Sequence, residues 1–292
     1  MRFQTRIDKR WSNVRRRPSR FGSLSGFESF LAAVGVAIAA IVAICLTFPY
    51  QSIAAQNKTP ENAARGFMAG SYRSQSGEGM PYRLFVPPGY EPSYKYPIIL
   101  WLHGAAGSGS DNISQLTGGN YPGSHLWTTP ENQAAYHAFV LAPQVDASKG
   151  WARPHTSTPP VAIRLALEIL ATVEQKYSID RAREYLAGQS MGGEGVWAAL
   201  SIAPERFAAA IALCGYGDGY MIARVAEVPV WIFQGEEDPT VPVSRARMWA
   251  ADLRKAGGNP KYTEYPSIGH NVWDVAFSEP GLAKWLFLQA RN

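Results

Sequence analysis

The stretch Pro97–Leu102, PIILWL, runs six residues without a polar side chain. A strand with one wet face alternates apolar and polar residues. An unbroken apolar run of this length marks a strand buried on both faces. Phe139–Ala142 is another. Tyr82–Val86, closed by Pro87-Pro88-Gly89, also reads as a strand, as do Glu184–Ala187, Phe207–Leu213, Val228–Phe233 and Tyr262–Tyr265. Between them lie helical patterns. Val161, Leu165, Ile169 and Val173 share one face after Pro159-Pro160, where proline suits a first turn. Met191–Ile202, Ser244–Lys255 (ended by Gly257-Gly258) and Gly281–Ala290 come later in the chain. Strands alternating with helices imply the α/β class, with a mostly parallel central sheet and helices on both faces. Such sheets hold ligands beyond the carboxyl ends of their strands.

The 292 residues suffice for one such domain and a tail. The net charge of +5 is unevenly spread. Residues 1–54 carry eight Arg or Lys against Asp8 and Glu28, a balance of +6, which leaves −1 for the rest. The domain proper therefore shows no nucleic-acid footprint. The basic stretch precedes an uncharged apolar run, Ser29–Phe48, of twenty residues, long enough to span a bilayer as a helix. Positive charge before it keeps the N-terminus cytoplasmic and sends the chain beyond Phe48 outside. Ser52-Ile53-Ala54 offers a signal-peptidase site, whereas the length of the basic region and of the apolar run favours an uncleaved anchor. On either reading the segment engages the membrane during export, and the domain is extracytoplasmic. The organisation expected is 1–54 signal or anchor, 55–70 linker and 71–292 catalytic domain.

Cys45 and Cys214 are the two cysteines. One lies in the apolar run and one in the domain, so no disulfide framework exists. The five histidines (His103, His125, His137, His155, His270) are scattered without metal-ligand spacing, so no metal site is expected.

Gly188-Gln189-Ser190-Met191-Gly192 comes directly after the strand Glu184–Ala187 and opens the helix Met191–Ile202. A serine flanked by glycines in a strand–turn–helix context is the nucleophile-elbow pattern. The turn raises the hydroxyl above the sheet at a helix N-terminus. The partners come in the order Ser190, Asp238, His270, each just after a strand. His270 suits a general base and Asp238 suits the group that orients it. Glu237 is the rival acid, and Asp274 reads as a structural hydrogen-bond partner. After Pro97–Leu102 comes His103-Gly104-Ala105-Ala106-Gly107, a glycine-rich loop placed to supply one oxyanion-hole N–H. Ala105 is the expected donor, with Ala106 the alternative, and Met191 supplies the second. His103 itself reads as a tie between loops. Trp273, Trp151 and Trp127 are candidate pocket aromatics, Trp273 foremost for its nearness to His270.

These motifs together form a resemblance. Tyr82-Arg83-Leu84-Phe85-Val86-Pro87, Leu102-His103-Gly104, Leu141-Ala142-Pro143-Gln144, Gly188-Gln189-Ser190-Met191-Gly192-Gly193, Pro239-Thr240-Val241-Pro242 and Gly269-His270 resemble the exported α/β-hydrolase esterases often labelled predicted peptidases. That group is similar to polyhydroxybutyrate depolymerases and feruloyl esterases. The resemblance runs from Tyr72 to the C-terminus and implies an α/β-hydrolase fold. It also implies a Ser190-His270-Asp238 triad, an oxyanion hole at Ala105 and Met191, and no cofactor. Glu194 stands where relatives carry an aromatic or small residue. The expected activity is hydrolysis of a small-molecule or polymeric carboxylic ester through an acyl-Ser190 intermediate. A serine peptidase on the same fold is the first alternative. A binding module that kept the fold is the second.

Overall fold

A computed structural model describes residues 60–152 and 160–291. Eight strands form one sheet: β1 (Phe67–Arg73), β2 (Gly79–Phe85), β3 (Tyr96–Leu102), β4 (Phe139–Pro143), β5 (Ile179–Gln189), β6 (Ala209–Leu213), β7 (Val230–Gly235) and β8 (Lys261–Tyr265). Their spatial order is β1-β2-β4-β3-β5-β6-β7-β8. β1 and β2 pair antiparallel, as do β2 and β4. Every other pairing is parallel. The register brings the carboxyl ends of five strands into line, with Leu102 beside Gly188, Gln189 beside Leu213, Leu213 beside Phe233 and Gly235 beside Tyr265.

The unbroken apolar runs do what their composition demands. All seven residues of β3, all five of β6 and all six of β7 are buried. Alternate side chains feed two core layers. Ile98, Leu100, Leu102, Leu186, Ala210 and Ile232 pack beneath the long helices α1 (Val161–Lys176), α2 (Met191–Ile202) and α3 (Val243–Lys255). Trp101, Tyr185, Ile211 and Phe233 meet Trp127, Phe277, Leu282 and Leu286 on the opposite face. Burying each large apolar side chain stabilises the fold by about 1.5–3 kcal/mol. Stability is thus concentrated in the middle of the sheet, the platform on which its strand ends sit.

Three departures from the sequence expectations have physical causes. First, β1 starts at Phe67, inside the stretch read as linker, and a short helix at Pro60–Ala63 precedes it. β1 pairs only with β2, and of its seven side chains only Phe67 is buried, so it lacks an apolar signature. Second, β5 begins at Ile179 rather than Glu184, because Asp180–Arg183 belongs to the strand despite its charges. Third, residues 105–136 form a chain of short helices, each too brief to show a period. The expected signal or anchor segment, 1–54, lies outside the described residues. Among the described residues no helix is long and apolar enough to cross a membrane.

Candidate active site

Ser190 closes β5 and opens α2 with φ 53° and ψ −119°. The turn is pressed against the end of β3. A Cβ on Gly192 would lie 1.9 Å from the Leu102 carbonyl oxygen, and one on Gly188 would lie 2.3 Å from the Gly192 carbonyl oxygen. Glycine at both positions is therefore a packing requirement. The Ser190 N–H donates to the Leu213 carbonyl at 2.9 Å, which ties the turn to the end of β6.

The expected acid and base, Asp238 and His270, come from the next two loops. Glu236 N–H donates to Tyr265 O at 3.0 Å and Glu237 N–H to Ile268 O at 2.9 Å. A Cβ on Gly235 would lie 2.3 Å from Gly269 O, so this crossing also requires glycine. The two loops are zipped, and they deliver Asp238 to His270. His270 Nδ1 lies 2.8 Å from Asp238 Oδ2, and His270 Nε2 lies 2.8 Å from Ser190 Oγ. Nδ1–H donating to the carboxylate leaves the Nε2 lone pair facing the serine hydroxyl. Asp238 is buried and Glu237 exposed, and the carboxylate that meets His270 is that of Asp238. Asp274 instead accepts a hydrogen bond from Asn271 at 3.3 Å.

The glycine-rich loop lies beside the elbow. Gly104 N–H donates to Asn120 Oδ1 at 2.7 Å and is spent. Ala105 begins a single 3-10 turn and Met191 begins α2. The N–H of a first helical residue has no acceptor in its own helix, and neither turn is capped by a side chain. These N–H groups are available to a developing oxyanion. His103 is a tie between loops. Its Nδ1–H donates to Gly104 O at 2.7 Å, and its Nε2 accepts from Val145 N–H at 3.1 Å. Burial pushes its pKa down to about 4, so it stays neutral and holds this tautomer.

Of the three tryptophans, Trp273 reaches the site. Its ring stands edge-on to His270 at 5.4 Å between centroids. It also presses on the main chain at Gly119, where a Cβ would lie 2.9 Å from its Nε1. Trp151 and Trp127 are both fully buried, which corrects their expected place on a pocket wall. Trp151 supports the glycine-rich loop, donating from Nε1 to His103 O at 2.9 Å. Trp127 belongs to the core against Phe287, 6.0 Å away. Glu194 sits one turn along α2 from Ser190, its N–H donating to Ser190 O at 3.0 Å. Burial raises its carboxyl pKa, and Asp218 adds to the effect.

Cys214, Asp238 and His270 place ligand-type atoms within 4.8 Å of one another. The set suits a metal poorly. A metal needs the thiolate, and burial holds the Cys214 thiol far above its ordinary range. Asp238 and His270 are already engaged with each other.

Two residues that the motifs did not single out complete the surroundings. Asn120 holds the glycine-rich loop through its bond from Gly104. Gln189 donates from Nε2 to Gly119 O at 2.9 Å, joining the elbow to the segment under Trp273. Both are buried polar side chains, and nothing local in the sequence distinguishes them from surface ones.

This fold and this arrangement at the strand ends define an α/β-hydrolase. The chain belongs to the Esterase family, whose model matches residues 74–278. It is similar to "Probable feruloyl esterase C" of Aspergillus terreus, at 30% identity over 141 residues covering 48% of each chain. It thus spans about half the length of the curated relative it matches. Among solved structures it resembles a thermostable esterase at 35% identity and TM-score 0.74, covering 77% of this chain and 64% of the other. A ferulic acid esterase from Anaeromyces mucronatus, solved with ferulic acid, shares the fold at 17% identity and TM-score 0.54. That likeness covers 82% of this chain and 95% of the other.

Proposed function

We propose that the chain is a serine-dependent carboxylic-ester hydrolase with Ser190 as nucleophile, His270 as general base and Asp238 as the orienting acid. The observation that carries this is the continuous relay from Ser190 Oγ through His270 to the buried Asp238, 2.8 Å at each step. Ser190 Oγ attacks the ester carbonyl carbon and His270 Nε2 takes its proton. The oxyanion forms between the Ala105 and Met191 N–H groups. The tetrahedral intermediate collapses as His270 protonates the departing alcohol. Water, deprotonated by His270, then attacks the acyl-Ser190 carbonyl and releases the acid.

The substrate class proposed is a feruloyl or acetyl ester, or a polyester. The names of the relatives support the feruloyl ester, and the Trp273 ring beside His270 offers an apolar surface for an aromatic or alkyl group. We propose further that residues 1–54 carry the domain out of the cytoplasm, on the strength of the basic stretch and apolar run in the sequence. Cell fractionation with N-terminal sequencing would distinguish cleavage after Ala54 from anchoring.

The decisive experiment is labelling with a fluorophosphonate. The wild type is expected to label and Ser190→Ala not to. Equal labelling of the two would end the serine-hydrolase reading. Hydrolysis of p-nitrophenyl acetate, p-nitrophenyl butyrate and methyl ferulate is expected to exceed that of peptide anilides. The reverse order would favour a peptidase.

A further inference from the structure

β7 is apolar from Val230 to Phe233 and then presents Gln234, fully buried, before Gly235 ends the strand. Val230 and Ile232, on the same face of the strand, are core residues, and apolar packing alone would ask for a third. Gln234 instead directs Nε2 at Asp238 Oδ2, 2.9 Å away, and at Val241 O, 3.0 Å away, with Gly235 O a longer contact at 3.4 Å. Its Oε1 has no hydrogen-bond partner among the described residues. Reversing the amide would set that oxygen against a carboxylate and a carbonyl, so chemistry fixes the orientation.

The consequence falls on Asp238. Its Oδ1 accepts from the Thr240 and Val241 N–H groups, each at 2.8 Å. Its Oδ2 accepts from His270 Nδ1 and from Gln234 Nε2. Four donors thus surround a buried carboxylate. His270 is its sole ion-pair partner among the described residues. A buried carboxylate without a permanent cation relies on such donors to stay ionised. Three of the four are fixed by backbone or by the triad itself. Gln234 is the side chain that sets how Oδ2 is shared.

We infer that Gln234 is a positioning residue for the triad acid. It holds Oδ2 in line with His270 Nδ1, and by taking part of the charge on that oxygen it limits how tightly the imidazolium proton is held. The inference rests on the triad proposed above.

The test compares Gln234→Met, which keeps the length and removes both donors, with Gln234→Glu, which keeps the shape. Steady-state kinetics are measured across pH on p-nitrophenyl acetate. For Gln234→Met, kcat is expected to fall about tenfold with KM little changed. The acid limb of its kcat/KM profile should move up by about half a pH unit or more, because an unshared Oδ2 binds the imidazolium proton more strongly. Gln234→Glu should gain a loss of activity at rising pH that the wild type lacks, as the new acid ionises beside Asp238. A Gln234→Met profile superimposable on the wild type, with only the melting temperature lowered, would reduce Gln234 to core packing. Should Gln234→Met not fold, Gln234→Leu takes its place, and a wild-type pH profile in that variant overturns the inference equally. Failure of the triad itself shows separately, as wild-type hydrolysis that Ser190→Ala does not abolish.

Discussion

Ser190 carries a side chain at φ 53° and ψ −119°, a backbone state that costs about 1–3 kcal/mol where glycine would bear it freely. Ser190→Gly should therefore be inactive yet melt several degrees above Ser190→Ala, at about 2–4 °C per kcal/mol for a chain of this size. Equal melting temperatures in calorimetry would show that the elbow is unstrained. Gly192 is held more tightly still. Gly192→Ala would drive Cβ into the Leu102 carbonyl and should cost ~3 kcal/mol or more, seen as loss of soluble protein or of fluorophosphonate labelling. The sequence makes these residues legible because their requirement is local: a glycine, a serine and a glycine within five positions. Gln234, Asn120 and Gln189 are illegible for the opposite reason. Each matters through a contact made across a loop or between elements, and a glutamine in a string of letters does not show what it faces.

Burial on both faces made some elements plain. β3 and β6, covered on both faces, announce themselves by apolar runs, whereas β1 pairs with a single neighbour and keeps one buried side chain. The loops joining the strand ends have no period to read, and there histidine burial makes a prediction. His103 and His125 are each pushed from 6.5 to about 4 by burial. The unfolded chain therefore binds more protons than the folded one between those values. Stability contributed by keeping them neutral is complete above about pH 6.5 and lost as pH falls toward 4, up to about 3 kcal/mol for each histidine. Urea midpoints should decline across that window. His103→Gln should be less stable at neutral pH, through its lost bonds to Gly104 and Val145, but should show a shallower decline. An unchanged slope would mean that His103 titrates alike in both states.

Across the whole molecule the sheet keeps two ends apart. Ser190, Asp238 and His270 gather at the carboxyl ends of β5, β7 and β8. At the far end Arg206 joins the buried Glu184, 2.7 Å away, to Glu174 on α1. Arg206→Met would strand the buried Glu184, while Glu174 keeps Arg181 at 3.1 Å, and should cost about 3 kcal/mol, while kcat per fluorophosphonate-titrated site stays at the wild-type value. A parallel loss of kcat would mean that the two ends are mechanically coupled. This separation leaves the rim open to redesign, and Gly119 is the place to begin. The indole of Trp273 rests on its bare main chain, so every larger residue there must tilt that ring, and with it the edge it shows to His270. Position 119 is a tuning screw for laboratory evolution, able to shift the Trp273 ring in graded steps without replacing a single group of the proposed relay.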